Sequence, residues 1–251
     1  MPALKPIGQP FIELLTVEST NNYAMGLARE AMAQHGTVVF THEQTKGKGQ
    51  RNKGWVSAKE LNLALSILIS PEELRGLPIF SLSMAAAVAA RELVSNYLKS
   101  DVTIKWPNDI YWCDRKAAGI LIENIWQANE WKFAVIGFGL NVNQTEFGEL
   151  GTRAVSLKQI TGQHFEPLAI AKELCGILDE KYRLLVSNPS TIAEQYRVHL
   201  YKLNDKVKLK KENRNFEARF TGVNANGQMV VDTGVEEYFN VGDVEWVFND
   251  A

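Results

Sequence analysis

The chain has 251 residues, of which 45% are hydrophobic and 22% charged, and its formal net charge is −2. These values are ordinary for a globular protein, and they disfavour nucleic-acid binding as the main activity because nucleic-acid binders are usually basic overall. The longest uncharged apolar stretch, near residues 79–90, is too short to span a bilayer. Two cysteines far apart in the sequence, with no secretory signal, predict free buried thiols and a cytoplasmic location.

The first half of the chain alternates between predicted strands and helices. Apolar runs predict strands at residues 11–15, 36–41, 61–69 and 102–105. Helical spacing predicts helices at 23–34 and 77–99, the first capped by Ser19 or Thr20. After residue 105 the chain reads Trp106-Pro107-Asn108-Asp109, and because proline forbids continued strand pairing, we expect a turn that presents Asn108 and Asp109.

The segment 44–55 is the most informative stretch of the sequence. Three glycines (Gly47, Gly49, Gly54) alternate with four cations (Lys46, Lys48, Arg51, Lys53), and Trp55 ends the run. Glycine allows backbone N–H groups to approach a ligand closely, and cations favour an anionic ligand such as a phosphate. The spacing is not that of a P-loop, because Trp55 and Val56 stand where Lys and Ser/Thr should follow. A solvated, flexible surface loop is the alternative that composition alone leaves open.

The second half begins with two predicted strands, 116–127 and 130–143, paired through a turn near 127–129. Gly137 and Gly139 lie near the end of the second strand, where glycines indicate close backbone approach or a bulge. Helices are predicted at 166–187 and 191–200. Five short alternating strands follow (206–211, 215–224, 228–232, 236–240 and 244–248), and they predict a small barrel with a domain boundary near residue 203.

Four motifs in fixed order make the sequence resemble the biotin–protein ligases (biotin–[acetyl-CoA-carboxylase] ligases). They are Glu18-Ser19-Thr20-Asn21, Gly47-Lys48-Gly49-Gln50-Arg51, Lys105-Trp106-Pro107-Asn108-Asp109 and Lys116-Ala117-Ala118-Gly119-Ile120-Leu121-Ile122-Glu123, and the segment 137–143 matches as well. The resemblance covers essentially the whole chain. It implies an α+β fold, with a mixed β-sheet flanked by helices as in class II aminoacyl-tRNA synthetases (residues 1–203) and a small C-terminal SH3-like β-barrel (204–251). Only 18 residues precede Ser19, so a form without an N-terminal DNA-binding domain is expected.

The resemblance also implies an ATP-dependent reaction in two steps. Biotin is activated by Mg-ATP to biotinyl-5′-AMP, and the biotinyl group is transferred to a lysine of a biotin carboxyl carrier protein. No tightly bound cofactor is expected, and a homodimer is left open. The loop departs from the family's usual Gly-Arg-Gly-Arg-Arg-Gly, with Lys48 and Gln50 in place of two arginines and Asn52 in place of the last glycine.

Site residues carry over by position. The resemblance implies catalytic cations at Lys48, Arg51 and Lys116. It implies biotin contacts from Ser19, Thr20, Asn21, Gln44, Gly47, Lys48, Gly49, Gln50, Lys116 and Gly119. It implies ATP contacts from Arg51, Trp55, Lys105, Asn108, Asp109, Lys116 and Asn141, with no metal fixed by the protein and Mg²⁺ near Asp109. Adenylation brings a carboxylate against a triphosphate, so cations around the α-phosphorus are what the chemistry requires.

Two rival interpretations stay open. A lipoate–protein ligase shares the fold and the two-step chemistry, although its glycine loop typically differs. An RNA-binding module would use the barrel and the basic loop, against which stand the net negative charge and the lack of an aromatic-rich RNA motif. Trp106 is predicted to belong to the core, and the 44–55 loop is predicted to be less ordered without biotin.

Overall fold

The chain forms a large mixed sheet with helices, followed by a smaller antiparallel sheet. The structure is a computed structural model that describes residues 5–98 and 102–248. The first part contains β1 (Phe11–Leu14), α1 (Thr20–Arg29), β2 (Val38–Thr41), β3 (Leu63–Ile69), α2 (Phe80–Tyr97), β4 (Val102–Lys105), β5 (Asp109–Trp112), β6 (Arg115–Gln127) and β7 (Glu130–Leu140). Then come α3 (Leu157–Thr161), α4 (Pro167–Ser187), α5 (Pro189–Val198), β8 (Lys206–Lys211), β9 (Arg214–Val223), β10 (Met229–Asp232), β11 (Glu236–Phe239) and β12 (Glu245–Trp246). Short 3-10 turns lie at Gln50–Asn52, Glu72–Leu74 and Gly148–Arg153.

The large sheet has seven strands in the order β1-β2-β3-β7-β6-β5-β4. β1 and β2 are parallel, and the other neighbours are antiparallel. The predicted pairing of the two long strands is confirmed, because β6 and β7 form a hairpin whose turn residues, Ala128 and Asn129, have positive φ. The predicted α+β class with a mixed sheet and helices is therefore confirmed.

Helices cover both faces of this sheet. All seven residues of β3 are buried, because its successive side chains point alternately to two helical layers. Leu65 and Ile67 join the main core with α2 and α4, whereas Leu68 packs in a smaller cluster beneath α1. The alanine-rich middle of α2 is buried, so this helix approaches its neighbours closely. The sheet is thus a rigid platform for the loops at its edges.

The C-terminal sheet has five antiparallel strands in the order β11-β10-β9-β8-β12. The five predicted strands are present, but the sheet is open in this order, so a closed SH3-like barrel is not confirmed. Trp106 anchors this sheet to the large one, since its buried indole Nε1 donates to Gly227 O at 2.9 Å. The prediction that Trp106 belongs to the core is confirmed.

Several predicted boundaries were wrong. α1 begins at Thr20 and not at residue 23, because Ser19 caps it, and it ends at Arg29, shortly before Ala31 turns left-handed at φ 56°. Asp109 begins a strand, β5, because the three preceding residues suffice for the turn and Asp109 pairs with Lys105. The short helix α3 was not predicted. The end of the helix predicted at 77–99 lies outside the described residues. So do residue 1, where the first predicted domain begins, and residue 251, where the second one ends.

Cys113 and Cys175 are both free thiols, as predicted. The prediction that both are buried is wrong for Cys113, which is exposed in the turn between β5 and β6. No helix within residues 5–98 and 102–248 is long and apolar enough to cross a membrane.

Candidate active site

The 44–55 loop folds back on itself as a tight hairpin. Trp55 N donates to Gly47 O at 2.9 Å and Gly49 N donates to Lys53 O at 2.7 Å, while Lys48 and Gly54 form an isolated bridge. A Cβ added at Gly47 would lie 2.3 Å from Trp55 O, so only glycine fits this closure. The loop therefore has a defined shape that its glycines make possible.

The start of α1 is joined to the start of this loop. Ser19 accepts a hydrogen bond from Asn22 N as the N-cap. The backbone N–H and the hydroxyl of Thr20 both donate to Gln44 Oε1, at 2.9 and 3.1 Å. Three residues predicted to contact biotin, Ser19, Thr20 and Gln44, are thus brought together from two segments.

A buried serine in the large sheet completes this polar group. Ser66 Oγ lies 2.6 Å from Asn21 Oδ1 and 2.7 Å from Thr20 Oγ1, and its side chain is fully buried. Gly137 stands opposite Ser66 on β7, and a Cβ there would lie 2.2 Å from Asn21 Oδ1. The close approach predicted for the 137–139 glycines is therefore present, and it admits the Asn21 amide to the sheet surface.

Glu123 links the polar group to the loop. Its Oε2 accepts from Asn21 Nδ2 at 2.8 Å, and Lys48 Nζ lies 3.4 Å from Oε1. Sequence reasoning assigned no role to Ser66 or Glu123, and it predicted a close backbone approach at Gly137 without naming its partner. The available signals were a lone serine inside an apolar strand and a carboxylate at the end of an apolar run.

Trp55 lies flat over a pair of glycines on the large sheet. Gly119 and Gly139 are cross-strand partners. A Cβ on Gly139 would lie 2.4 Å from Trp55 Cε2, and one on Gly119 would lie 3.2 Å from its Cζ3. The indole Nε1 is buried without an acceptor among the described residues. Trp55 thus caps a flat glycine floor of the kind on which an aromatic ring can stack.

Lys116 stands beside this floor. Its Nζ lies 5.7 Å from the centre of the Trp55 ring and 2.6 Å from Asp109 Oδ1. Both side chains are partly buried, with 30% and 16% of their surface exposed, so the pair is screened less than a surface pair. Lys116 is therefore held on a strand, and its charge faces the predicted nucleotide site.

The two predicted asparagines hold main-chain atoms. Asn108 Nδ2 donates to Ile120 O. Asn141 Nδ2 lies 3.3 Å from Lys116 O and 3.2 Å from Val155 O, and this side chain is buried. Their arrangement fixes the strand that carries Lys116, whereas direct contact with a nucleotide stays a prediction.

The remaining predicted cations point toward the C-terminal sheet. Arg51, in a left-handed conformation at φ 53°, places Nη1 3.8 Å from Glu245 Oε1, apart from Lys48 and Lys116. Gln50 lies beside it in the 3-10 turn. A solvent-open cavity of about 590 Å³ adjoins Glu245 and is lined by charged side chains of the C-terminal sheet.

Lys105 is a further predicted cation, and it is partly buried. Burial lowers the pKa of its ammonium, the Asp109 carboxylate opposes this, and the positive charges of Lys116 and Lys53 add to it. Burial also raises the pKa of the neighbouring Tyr111, with Asp109 contributing in the same direction. The site therefore holds several positive charges around one carboxylate, an arrangement suited to a polyanionic ligand.

In the part of the chain that the structure describes, no cluster of three His, Cys, Asp or Glu side chains could hold a metal ion. One carboxylate, Asp109, lies beside Lys116 and pairs across the strands with Lys105. This donor set suits Mg²⁺ that arrives already bound to a phosphate ligand, because Mg²⁺ keeps most of its water and needs few protein carboxylates.

Comparison with known proteins identifies relatives over most of the chain. Residues 14–141 match the sequence model of the biotin/lipoate A/B protein ligase family. The bifunctional ligase/repressor BirA of Bacillus subtilis is 27% identical over 246 residues, which cover 95% of this chain and 74% of that protein. The biotin–[acetyl-CoA-carboxylase] ligase of Mycobacterium tuberculosis is 27% identical over 194 residues, covering 76% of this chain and 71% of that protein.

A solved structure has the same fold. The biotin protein ligase from Aquifex aeolicus, in complex with biotin and ATP, matches with a TM-score of 0.80 at 23% identity. The match covers 96% of this chain and 100% of that one.

Proposed function

The chain belongs to the biotin/lipoate A/B protein ligase family, and from this premise we propose that it is an ATP-dependent biotin–protein ligase. It activates biotin to biotinyl-5′-AMP and then transfers the biotinyl group to a lysine of a partner protein. The observation that carries the proposal is the position of the glycine-basic loop, whose Gln44 joins Thr20 and whose Trp55 lies on the glycine floor beside Lys116.

Biotin is preferred over lipoate as the substrate. The family includes ligases for both, but the relatives that align over most of this chain are named as biotin ligases or as a ligase/repressor. The polar group formed by Thr20, Asn21, Gln44 and Ser66 offers donors and acceptors in an otherwise apolar sheet, which suits a ureido ring on an apolar bicycle. Lipoate lacks such a ring.

The first step joins two anions. A carboxylate oxygen of biotin attacks the α-phosphorus of ATP, the bond to the β-phosphate breaks, and pyrophosphate leaves with its Mg²⁺. We assign Lys116 to the developing charge at the α-phosphate and Lys48, with the backbone of Gly47 and Gly49, to the biotin carboxylate. Gln50 follows Gly49 in the loop, and Gly119 lies beside the Lys116 side chain. Arg51 can contact the nucleotide only after its ion pair with Glu245 breaks.

The nucleotide is assigned to the region between Lys105 and the Trp55 ring, which itself lies on the glycine floor. Trp55 stacks on adenine, and Asn108 and Asn141 hold the strands beneath. Asp109 would hold Mg²⁺ that arrives with ATP, and this ion would supply neutralisation of the phosphate charge. Backbone rigidity under Lys116 supports the assignment, because a cation on a strand is better positioned than one on a loop.

The second step needs no nucleophile from this chain. The ε-amine of the acceptor lysine attacks the acyl carbon of the mixed anhydride, the acyl–oxygen bond breaks, and AMP leaves as the amine loses a proton. We propose that the acceptor lies on the biotin carboxyl carrier domain of a biotin-dependent carboxylase. A homodimer, the absence of DNA binding and a cytoplasmic location stay predictions, the last supported by two free thiols.

We also keep the two-domain division as a proposal, with 1–203 as the catalytic part and 204–251 as an SH3-like unit. It is supported by the separate strand pairing of the two sheets.

A reconstituted reaction tests the function. The full chain is incubated with biotin, Mg-ATP and a purified carrier domain, and the carrier is weighed by mass spectrometry. We expect a mass gain equal to one biotinyl group, dependent on ATP. A parallel reaction contains lipoate and a lipoyl domain in place of biotin and its carrier. Modification in that reaction alone would replace biotin with lipoate, and modification in neither would contradict the proposed function.

A further inference from the structure

Lys105 holds its charge in an aromatic enclosure. Its Nζ lies 5.3, 5.6 and 5.5 Å from the ring centres of Tyr111, Trp246 and Phe248. Tyr111 belongs to the large sheet, whereas Trp246 and Phe248 come from the end of the C-terminal sheet. Two of the three rings that surround this ammonium are therefore supplied by the second sheet.

Among the described residues, no carboxylate forms a direct ion pair with this ammonium. Asp109 is its cross-strand partner but is bound by Lys116 at 2.6 Å. Across residues 5–98 and 102–248, Lys105 Nζ has no hydrogen-bond or ion-pair partner. Ring faces attract a cation but do not neutralise its charge, so the ammonium still favours an incoming anion.

The neighbouring charges indicate which anion fits. Lys116 and Lys53 are close enough to lower the pKa of Lys105, so three positive charges converge near a single carboxylate. One carboxylate ligand would leave most of this charge unbalanced, whereas a triphosphate carries several negative charges along its length. The charges around Lys105 therefore suit a polyphosphate better than a single carboxylate.

β12 also contacts the glycine-basic loop of residues 44–55. Glu245, the residue before Trp246, faces Arg51 of the loop at 3.8 Å. Arg51 also lies against Gly242, where an added Cβ would be 3.2 Å from the guanidinium carbon. Because successive strand residues point to opposite sides, one short strand reaches both Arg51 and Lys105.

We propose that the end of the C-terminal sheet is part of the nucleotide site, and that Trp246 and Phe248 are positioning residues that hold the Lys105 ammonium against the triphosphate of ATP. This inference rests on the proposed function for the identity of the nucleotide. It assigns to the C-terminal sheet a role in ATP affinity that operates through Lys105.

A purely structural role for Trp246 has to be separated from this one. Its ring also lies 5.8 Å from Tyr201 and 5.7 Å from Phe220, so its loss would loosen the sheet. The matched control is Phe239, which carries Lys211 Nζ at 5.3 Å from its ring in the same sheet. Each variant removes one aromatic ring that contacts a lysine ammonium. Trp246→Leu removes a ring beside Lys105, whereas Phe239→Leu removes the ring beside Lys211.

The experiment measures Mg-ATP and biotin dissociation constants by calorimetry on the full chain. We expect Trp246→Leu to weaken ATP binding on the order of fivefold, as loss of one cation–π contact implies, and to leave biotin binding unchanged. Phe239→Leu should change neither constant. Lys105→Met should weaken ATP binding more, and Trp246→Leu added to it should have no further effect. If Trp246→Leu unfolds the chain by circular dichroism, Phe248→Leu takes its place.

The outcomes separate this inference from the proposed function. Equal ATP affinity in wild type and Trp246→Leu overturns the inference. So does a double variant in which Trp246→Leu weakens ATP binding as much in the Lys105→Met background as in wild type. An equal loss of ATP affinity in Phe239→Leu overturns it as well. Because binding is measured directly, an ATP-binding chain that fails to biotinylate a carrier would contradict the function while the Lys105 result still stands. A wild-type chain that binds no ATP overturns both.

Discussion

At the scale of single residues, the Glu123 carboxylate is the group that ties the loop to the sheet. It accepts from Asn21 on α1 and faces Lys48 on the loop. Lys48 and Glu123 are 41% and 29% exposed, so the pair contributes no more than about 1 kcal/mol to stability. A pair this weak can be exchanged for a ligand carboxylate without a large cost in stability.

Lys116 carries a first prediction at this scale. Lys116→Ala should lower the rate of biotin-dependent ATP–pyrophosphate exchange by about 10²–10³-fold, because one preorganised charge at the α-phosphate is lost. The fold should persist, since the side chain is 30% exposed. Lys132→Ala, which removes an exposed hairpin lysine paired with Glu130, is the control and should exchange at the normal rate. Near-normal exchange in Lys116→Ala would remove this residue from the reaction.

Gly137 carries a second prediction. A methyl group there would lie 2.2 Å from Asn21 Oδ1, so Gly137→Ala should displace Asn21 and weaken biotin binding by at least about tenfold, as the loss of a buried hydrogen-bond group implies. Gly26→Ala is the control, because Gly26 lies within α1 with no atom within 4 Å of the added Cβ. That variant should bind biotin normally and gain up to about 1 kcal/mol in stability. Equal biotin affinity in both variants would argue against a biotin seat at Asn21.

At the scale of elements, the hairpin of residues 44–55 is held by few contacts. Main-chain hydrogen bonds between its two arms close it, and its large apolar contact is the Trp55 ring. The ion pairs of Lys48 and Arg51 with the rest of the chain are partly exposed and therefore weak. Segments with little buried apolar surface open with a small free-energy cost. The hairpin is therefore suited to open for substrates and to close over a reactive acyl-adenylate that water would hydrolyse.

Limited trypsin digestion tests this closure. The loop offers cleavage sites at Lys46, Lys48, Arg51 and Lys53, and we expect biotin with ATP to slow cleavage there at least about tenfold, by raising the free energy of opening. The turn between β8 and β9, with Lys211 and Arg214, is an internal control whose cleavage should not change. Unchanged cleavage of the loop in the presence of both ligands would contradict its role as a flap.

At the scale of the whole molecule, the turn between β9 and β10 packs against the first part of the chain, at Trp106 and α2. Gly227 O accepts from Trp106, and the glycine itself faces the ring of Phe80 at the start of α2. Trp106 directly follows Lys105, so the same junction that joins the sheets sets the position of a predicted nucleotide contact. The placement of the second sheet thus belongs to the geometry of the site.

Two turn glycines of this sheet allow a matched stability test. Gly227 and Gly234 both have positive φ, 82° and 105°, so alanine at either should cost about 1–2 kcal/mol. Only Gly227→Ala also meets Phe80, at 2.4 Å, and we expect a further cost of about 1–3 kcal/mol from the clash. Urea unfolding of the two variants measures the difference. Equal losses of unfolding free energy would mean that the turn does not pack against Phe80.

Much of this arrangement could be predicted because it depends on residues near one another in the sequence. Ser19 caps α1, and β6 and β7 pair through a short turn, both from local patterns. The contact between Lys116 and Asp109 was not predicted, because it depends on the pairing of β5 with β6. β5 was missed because proline and asparagine mark a turn without showing how short it is. The burial of Cys113 was wrongly predicted, because cysteine is usually a buried residue and its identity alone does not show that it lies in a turn.

The sequence by itself determined the fold class, the family and the set of charged and polar groups that the chemistry requires, because periodicity and motif spacing act over short stretches of chain. Only the tertiary structure decided which of these groups meet. Asn21 contacts Glu123, 102 positions away, and Trp106 contacts Gly227, 121 positions away. Arg51 pairs with Glu245 of the C-terminal sheet and does not join Lys116 at the predicted catalytic site. Such contacts are set by how two sheets and a loop pack together, and that packing depends on side chains from the whole chain at once.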